Sequence, residues 1–229
     1  MLQVDAGPMW AGIADGSADA MVAAWLPSTH ASYLEQYGSQ VEDLGANLEG
    51  TKTGLAVPTY MDINSIDDLK NSDLAKTLQN RIVGIEPGAG IMMATEKAIE
   101  GYGLSDYTLL ESSSAGMVQE LEKAYQNNEP IVVTGWTPHW MFANMDLKYL
   151  EDPKGVYGGA EEIHTMVRKG LKEDMPEVYS FLDQFNWTPE EMEQVMVDIQ
   201  GGQSPEDAAK SWVNEHADEV DAWVAAVQE

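Results

Sequence analysis

IVVTGWTPHW, residues 131–140, is the stretch on which the fold turns. Three branched apolar residues run into Thr134-Gly135, so it reads as a buried strand that stops at a tight turn. Ligands of α/β proteins sit at strand ends. Trp136 is therefore expected at the carboxyl end of a strand, with Pro138 opening the next helix at a favoured early position. A large ring there belongs either to the core or to the wall of a site.

The first 30 residues repeat this arrangement. AMVAAWLP, residues 20–27, is an apolar run closed by Pro27, and it delivers Trp25 as the later strand delivers Trp136. His30 follows the first unit and His139 the second, which suggests two similarly built lobes. A third ring, Trp187, falls in the short joint between two helical patterns. Trp212 and Trp223 occupy apolar helix positions and read as packing residues, as does Trp140.

The remaining elements follow from periodicity and punctuation. A strand is expected at 1–4, a short helix ending at Gly16, a helix through HASYLEQYG (30–38), a loop, and a strand in GLAVP (54–58) that Pro58 ends. Ser65 and Asp68 form a capping-box-like start. RIVGIE (81–86) reads as a strand, followed by a Gly-rich turn and a helix over 90–101. Ser112–Gly116 then turns and caps a further helix. Residues 145–160 read as loop and 161–171 as a strand. Beyond these the pattern is helical, with Thr188-Pro189 and Ser204-Pro205 as helix starts.

Composition narrows the function. Asp plus Glu number 39 against 12 Lys plus Arg, a formal net charge of −27. Such a surface repels nucleic-acid phosphates and anionic lipid heads and welcomes a cation. Acidic residues spread over predicted helix faces suit high ionic strength, where repulsion is screened, so a halophilic origin is expected. Mean hydropathy is −0.31, and no apolar run approaches the ~20 residues of a spanning helix. Met1 is followed by LQVDAGPMW, without the basic start and long apolar run of a signal peptide. The absence of cysteine removes disulfides and thiolate chemistry.

Catalytic patterns are missing. His30, His139, His164 and His216 show neither H-x-x-x-H nor H-E-x-x-H spacing, and no G-x-S-x-G elbow occurs. PGAG at 87–90 lacks the Lys-Ser/Thr of a phosphate loop, leaving free helix-start N–H groups near Gly90 that suit a carboxylate. No cofactor is expected. Aromatic rings at strand ends and joints suit a quaternary ammonium, because ring faces attract a positive charge that has no N–H to donate.

The motifs D-x-G-P-M-W, AWLPSTH, VEDLG, GLAVPTYM, INSIDDL, IEPGAGIM, EKAIEGYGL, VVTGWTPHW, YLEDPKGVYG, VRKGL-x-x-DMP and F-x-W-T-x-x-x-M resemble the glycine betaine/proline betaine substrate-binding proteins of osmoprotectant ABC importers, the OpuAC-like family. The resemblance covers essentially the whole chain. It implies an α/β type II periplasmic-binding-protein fold, with two lobes joined by two crossings: 1–57 and 161–229 for lobe 1, 58–160 for lobe 2. It also implies an extracytoplasmic protein without enzymatic activity, which passes a betaine-type ligand to an importer permease. By motif, Trp25, Trp136 and Trp187 form the box around the trimethylammonium.

Two departures accompany the resemblance. The family's usual first strand and helix, whose turn binds the betaine carboxylate, precede the position where this chain starts; an open place in the lobe 1 sheet, strand exchange or oligomerisation is then expected. The histidine that some members place five residues after the third Trp is Met192 here. His30 is the candidate replacement, and the N–H groups near Gly90 a weaker one. Choline, carnitine or a sulfonium analogue are alternative ligands, and an enzyme acting on a quaternary amine is the rival from another class.

Overall fold

The computed structural model describes residues 4–225. In chain order the elements are α1 (Ala6–Asp15), β1 (Ala20–Leu26), α2 (Ala31–Tyr37), β2 (Val41–Pro58), α3 (Ser72–Thr77), β3 (Arg81–Val83), α4 (Gly90–Tyr102), β4 (Thr108–Leu110), α5 (Ser114–Gln126) and β5 (Val133–Thr137). They continue with α6 (Trp140–Asn144), β6 (Leu147–Tyr149), β7 (Glu161–Arg168), α7 (Leu171–Asp174), α8 (Pro176–Gln184), α9 (Pro189–Gln200), α10 (Pro205–Glu215) and α11 (Ala217–Ala225). The strand expected at 1–4 lies, apart from Val4, outside the described residues. No helix among the described residues is long and apolar enough to cross a membrane.

The chain forms two compact units. One contains Lys52–Thr137 and Met141–Ala160, the other Gly7–Thr51, Pro138–Trp140 and the chain from Glu161 onward. β2 contributes to both, and its change of unit falls inside the strand, between Thr51 and Lys52.

In the first unit, β3 pairs in parallel with both β4 and β5, while the second part of β2 runs antiparallel to β5 and β6. Parallel neighbours need a crossover, and α4 and α5 supply it. Their apolar faces, with Ala98, Met117 and Leu121 buried, explain the amphipathic spacing of both helices, and Ile82, Val132, Val133, Leu55 and Val57 are buried on the strands. Ser113 caps α5 by accepting from Gly116 N–H at 3.1 Å, and Ser65 and Asp68 close the expected capping box.

In the second unit, β7 lies between β1 and the first part of β2, antiparallel to both. Trp10 and Ile13 of α1 pack with Met21, Ala24 and Leu26 of β1, Val41 and Met166 to form a core. Helices α8 to α11 complete the unit with ring contacts: Trp223 meets Phe181 and Phe185 edge-on and stacks on Trp212 at 5.6 Å.

Several local readings change: the strand expected over 161–171 ends at Arg168, with Leu171 opening α7, and Pro138 lies two positions ahead of α6. Gly135 is not a turn: β5 continues through it to Thr137, opposite Gly54 of β2. A Cβ at Gly135 would lie 2.8 Å from that of Ala56, so glycine is needed for close strand approach. The loop expected after residue 38 is short, because β2 begins at Val41; Gly45 and Gly50, both at positive φ, and register shifts against β7 hid this irregular strand from a period-2 reading. The expected loop at 145–160 contains β6, and the strand expected over 81–86 ends at Val83.

Candidate functional site

Trp25 is the penultimate residue of β1 and is half-buried. The turn after it folds back onto its own backbone. His30 N–H donates to Trp25 C=O at 2.9 Å, and Trp25 N–H donates to His30 Nδ1 at 3.1 Å. Trp10 Nε1–H donates to the same Nδ1 at 3.3 Å. A nitrogen that accepts two bonds carries no proton, so the neutral ring is the Nε2–H tautomer. Burial holds His30 neutral by lowering its pKa to about 4. The ring thus offers a donor at Nε2 and no positive charge.

Trp187 occupies the joint between α8 and α9, also half-buried. Its N–H donates to Asn47 C=O of β2 at 2.9 Å. Trp25 pairs with Ile163 of β7, which pairs in turn with Leu48 of β2. Trp25 and the anchor of Trp187 are therefore about two strand spacings apart, roughly 10 Å. The second unit brings Trp25, His30 and the Trp187 joint to one end of one sheet.

The Trp187 ring is braced from behind. It meets Trp212 edge-on at 6.1 Å, and Trp212 stacks on His216 at 4.4 Å. His216 Nδ1 lies 3.1 Å from Glu191 and 3.0 Å from Glu219, which together raise its pKa, with Glu219 the larger cause. Glu191 also closes the capping box with Thr188, the residue after Trp187. One ligand atom each of Glu191, His216 and Glu219 lie within 4.8 Å of one another. A histidine held between two carboxylates accounts for that cluster.

Trp136 lies in the first unit, half-buried in β5 and opposite Thr53 of β2. Its neighbour Thr137 bonds Tyr149, whose hydroxyl also donates to Lys52 C=O at 3.3 Å. In the same unit α4 begins after Ala89, which makes no side-chain cap hydrogen bond. A hollow of about 860 Å³ lined by Tyr60, Asp62, Asp67 and Asp68, among others, includes none of these residues. His139 and Trp140 belong to the other unit and stack on each other.

The supporting roles of three residues escape a motif reading. Trp10 and Asn47 act through contacts only the fold creates. Glu161 was legible in part: in EEIHTMVR it shares the inward phase of Ile163, Thr165 and Val167, and it is fully buried.

Comparison with known proteins agrees with this architecture. The family OpuAC, substrate binding domain of ABC-type glycine betaine transport system, matches residues 1–215. The chain is 52% identical over 158 residues to the glycine betaine/carnitine transport binding protein GbuC of Listeria monocytogenes, a match of 68% of this chain and 53% of that protein. The match thus spans about half of that relative's length. Lactococcal OpuAC, solved closed and complexed with glycine betaine, is similar at 51% identity and TM-score 0.92, over 96% of this chain and 85% of that one. The glycine betaine/L-proline-binding protein ProX of Borrelia burgdorferi is similar at 35% identity and TM-score 0.93, over 99% and 86%. A choline binding protein complexed with choline is similar at 28% identity and TM-score 0.86, over 96% and 83%. The fold is thus the α/β type II periplasmic-binding-protein fold, and the relatives are transport binding proteins rather than enzymes. With the family matched along most of its length, the chain belongs to the substrate-binding domains of ABC-type glycine betaine transport systems.

Proposed function

We propose that this chain captures glycine betaine, or a closely similar quaternary ammonium osmolyte, outside the cytoplasmic membrane and delivers it to an ABC importer permease. In this reading the ring faces of Trp25, Trp136 and Trp187 serve the trimethylammonium, and His30 Nε2–H donates to the carboxylate. The supporting observation is a division among the tryptophans. Trp10, Trp212 and Trp223 are buried in packing, whereas Trp25, Trp136 and Trp187 are half-buried and sit at strand ends or a helix joint; Trp140 is half-buried too, but opens α6 and stacks on His139. Similarity to lactococcal OpuAC, complexed with glycine betaine, favours that ligand first.

Each dry cation–π contact is worth about 2 kcal/mol, so loss of one ring weakens binding roughly thirtyfold. Ligand binding then favours whichever state of the protein holds the ligand more tightly, by its differential affinity for that state. Calorimetric titration of wild type and Trp136→Ala with glycine betaine, choline and carnitine tests this. Unaltered affinity in Trp136→Ala would remove Trp136 from the site.

A choline-preferring site is the second reading, supported by similarity to the choline binding protein and by Met192, which stands where the resemblance implies a carboxylate-binding histidine in some family members. Tighter binding of choline than of glycine betaine in the same titration would select it. Conversion of either compound to product would point to the enzyme rival.

A further inference from the structure

Glu161 is fully buried at the start of β7, opposite Thr51 of β2. A buried carboxylate carries a large desolvation cost unless it is fully hydrogen-bonded. Here three donors come from a single turn, 132–133 residues away in sequence. Ser28 N–H and Thr29 N–H donate to Oε1 at 2.8 and 2.6 Å, and Thr29 Oγ1–H donates to Oε2 at 2.5 Å. Two successive backbone N–H groups form a small anion-binding concavity, and Glu161 fills it with charge-assisted bonds. The turn joins Trp25 to His30. It is closed on one side by the reciprocal Trp25–His30 bonds and tied on the other to β7.

We propose that Glu161 is a positioning residue of the ligand site: by binding the 28–29 turn it fixes the Trp25 ring and His30 Nε2 relative to the β1–β7–β2 sheet. The proposal rests on the reading of Trp25 and His30 as ligand-binding groups. What matters is the shape of the acceptor. Glutamine at 161 keeps an oxygen that accepts both backbone N–H groups, and its NH₂ donates to Thr29 Oγ1. Alanine keeps neither.

The test uses the full chain as wild type, E161Q, E161A and T29V, each at a temperature where circular dichroism shows it folded. Affinity for glycine betaine is measured by calorimetry. The Trp25 environment is followed by fluorine NMR of 5-fluorotryptophan-labelled protein, its resonance identified with Trp25→Phe. E161A is expected to bind at least about tenfold more weakly, with a shifted or broadened Trp25 resonance, while E161Q stays within about threefold with the resonance in place. Wild-type affinity and an unmoved resonance in folded E161A would overturn the proposal. If E161A does not fold, T29V carries the test, with an expected weakening of about two- to fivefold and a displaced resonance; no change in either overturns it. Should wild type bind neither glycine betaine nor choline, the functional reading fails, and the fluorine spectra still decide whether Glu161 positions Trp25.

Discussion

His30 shows how one residue changes meaning once its partners are known. Its Nδ1 is committed to Trp25 and Trp10, so only Nε2 is left for a ligand, as a neutral donor. Burial lowers its pKa from 6.5 to about 4, and that of His139 likewise. The unfolded chain protonates both as pH falls through about 6.5, the folded chain only near 4, so the unfolded state binds more protons within that window. Stability contributed by the neutral rings is therefore complete above about pH 6.5 and is lost as pH falls toward 4, on the order of 3 kcal/mol for each residue. Urea midpoints measured across this range should decline for wild type and decline less for His30→Gln. Equal pH dependence of the two proteins would show that His30 is not held neutral by the fold.

Among the elements, the strand that carries Trp136 and the helix that follows Trp187 make separate demands. Ala56 leaves no room for a Cβ at Gly135, so Gly135→Ala must separate β5 from β2 or bend one of them. A loss of about 1–3 kcal/mol is expected by chemical denaturation, and an unchanged midpoint would mean that the strands have slack. The α9 start is capped by Thr188 and Glu191. Thr188→Ala should cost about 1 kcal/mol and also weaken ligand binding, because the same cap and the His216–Trp212 stack support the Trp187 joint. Loss of stability with unaltered affinity would separate the cap from the site. The raised pKa of His216 works in the opposite sense to that of His30: its ion pairs are fully present below about pH 6.5 and are lost as pH rises through the folded value.

At the scale of the molecule, charge and sheet edges dominate. A net charge of −27 is self-repulsive, and the screening length falls from about 10 Å at 0.1 M salt to about 3 Å at 1 M. Denaturation midpoints should therefore rise with salt over that range; a flat response would count against adaptation to high ionic strength. β1 pairs with β7 alone, which leaves its outer edge open among the described residues. An open edge is a template for strand pairing, so light scattering should detect a concentration-dependent dimer. A strictly monomeric protein at all concentrations would rule strand exchange out.

The sequence by itself determined the elements whose signals are local. The capping box at Ser65, the helix cap at Thr188, the helices α4 and α5, and the apolar runs ending near Trp25 and Trp136 were all legible, because caps and periodicity depend on residues only a few positions apart. Tertiary structure alone decided that Gly135 is a point of strand contact, since its neighbour Ala56 lies 79 positions away in the chain. It likewise decided that Trp10 occupies one nitrogen of His30, that Asn47 holds Trp187, and that a buried Glu161 grips the turn behind Trp25. Those are long-range pairings, and no local pattern encodes the partner of a buried polar group.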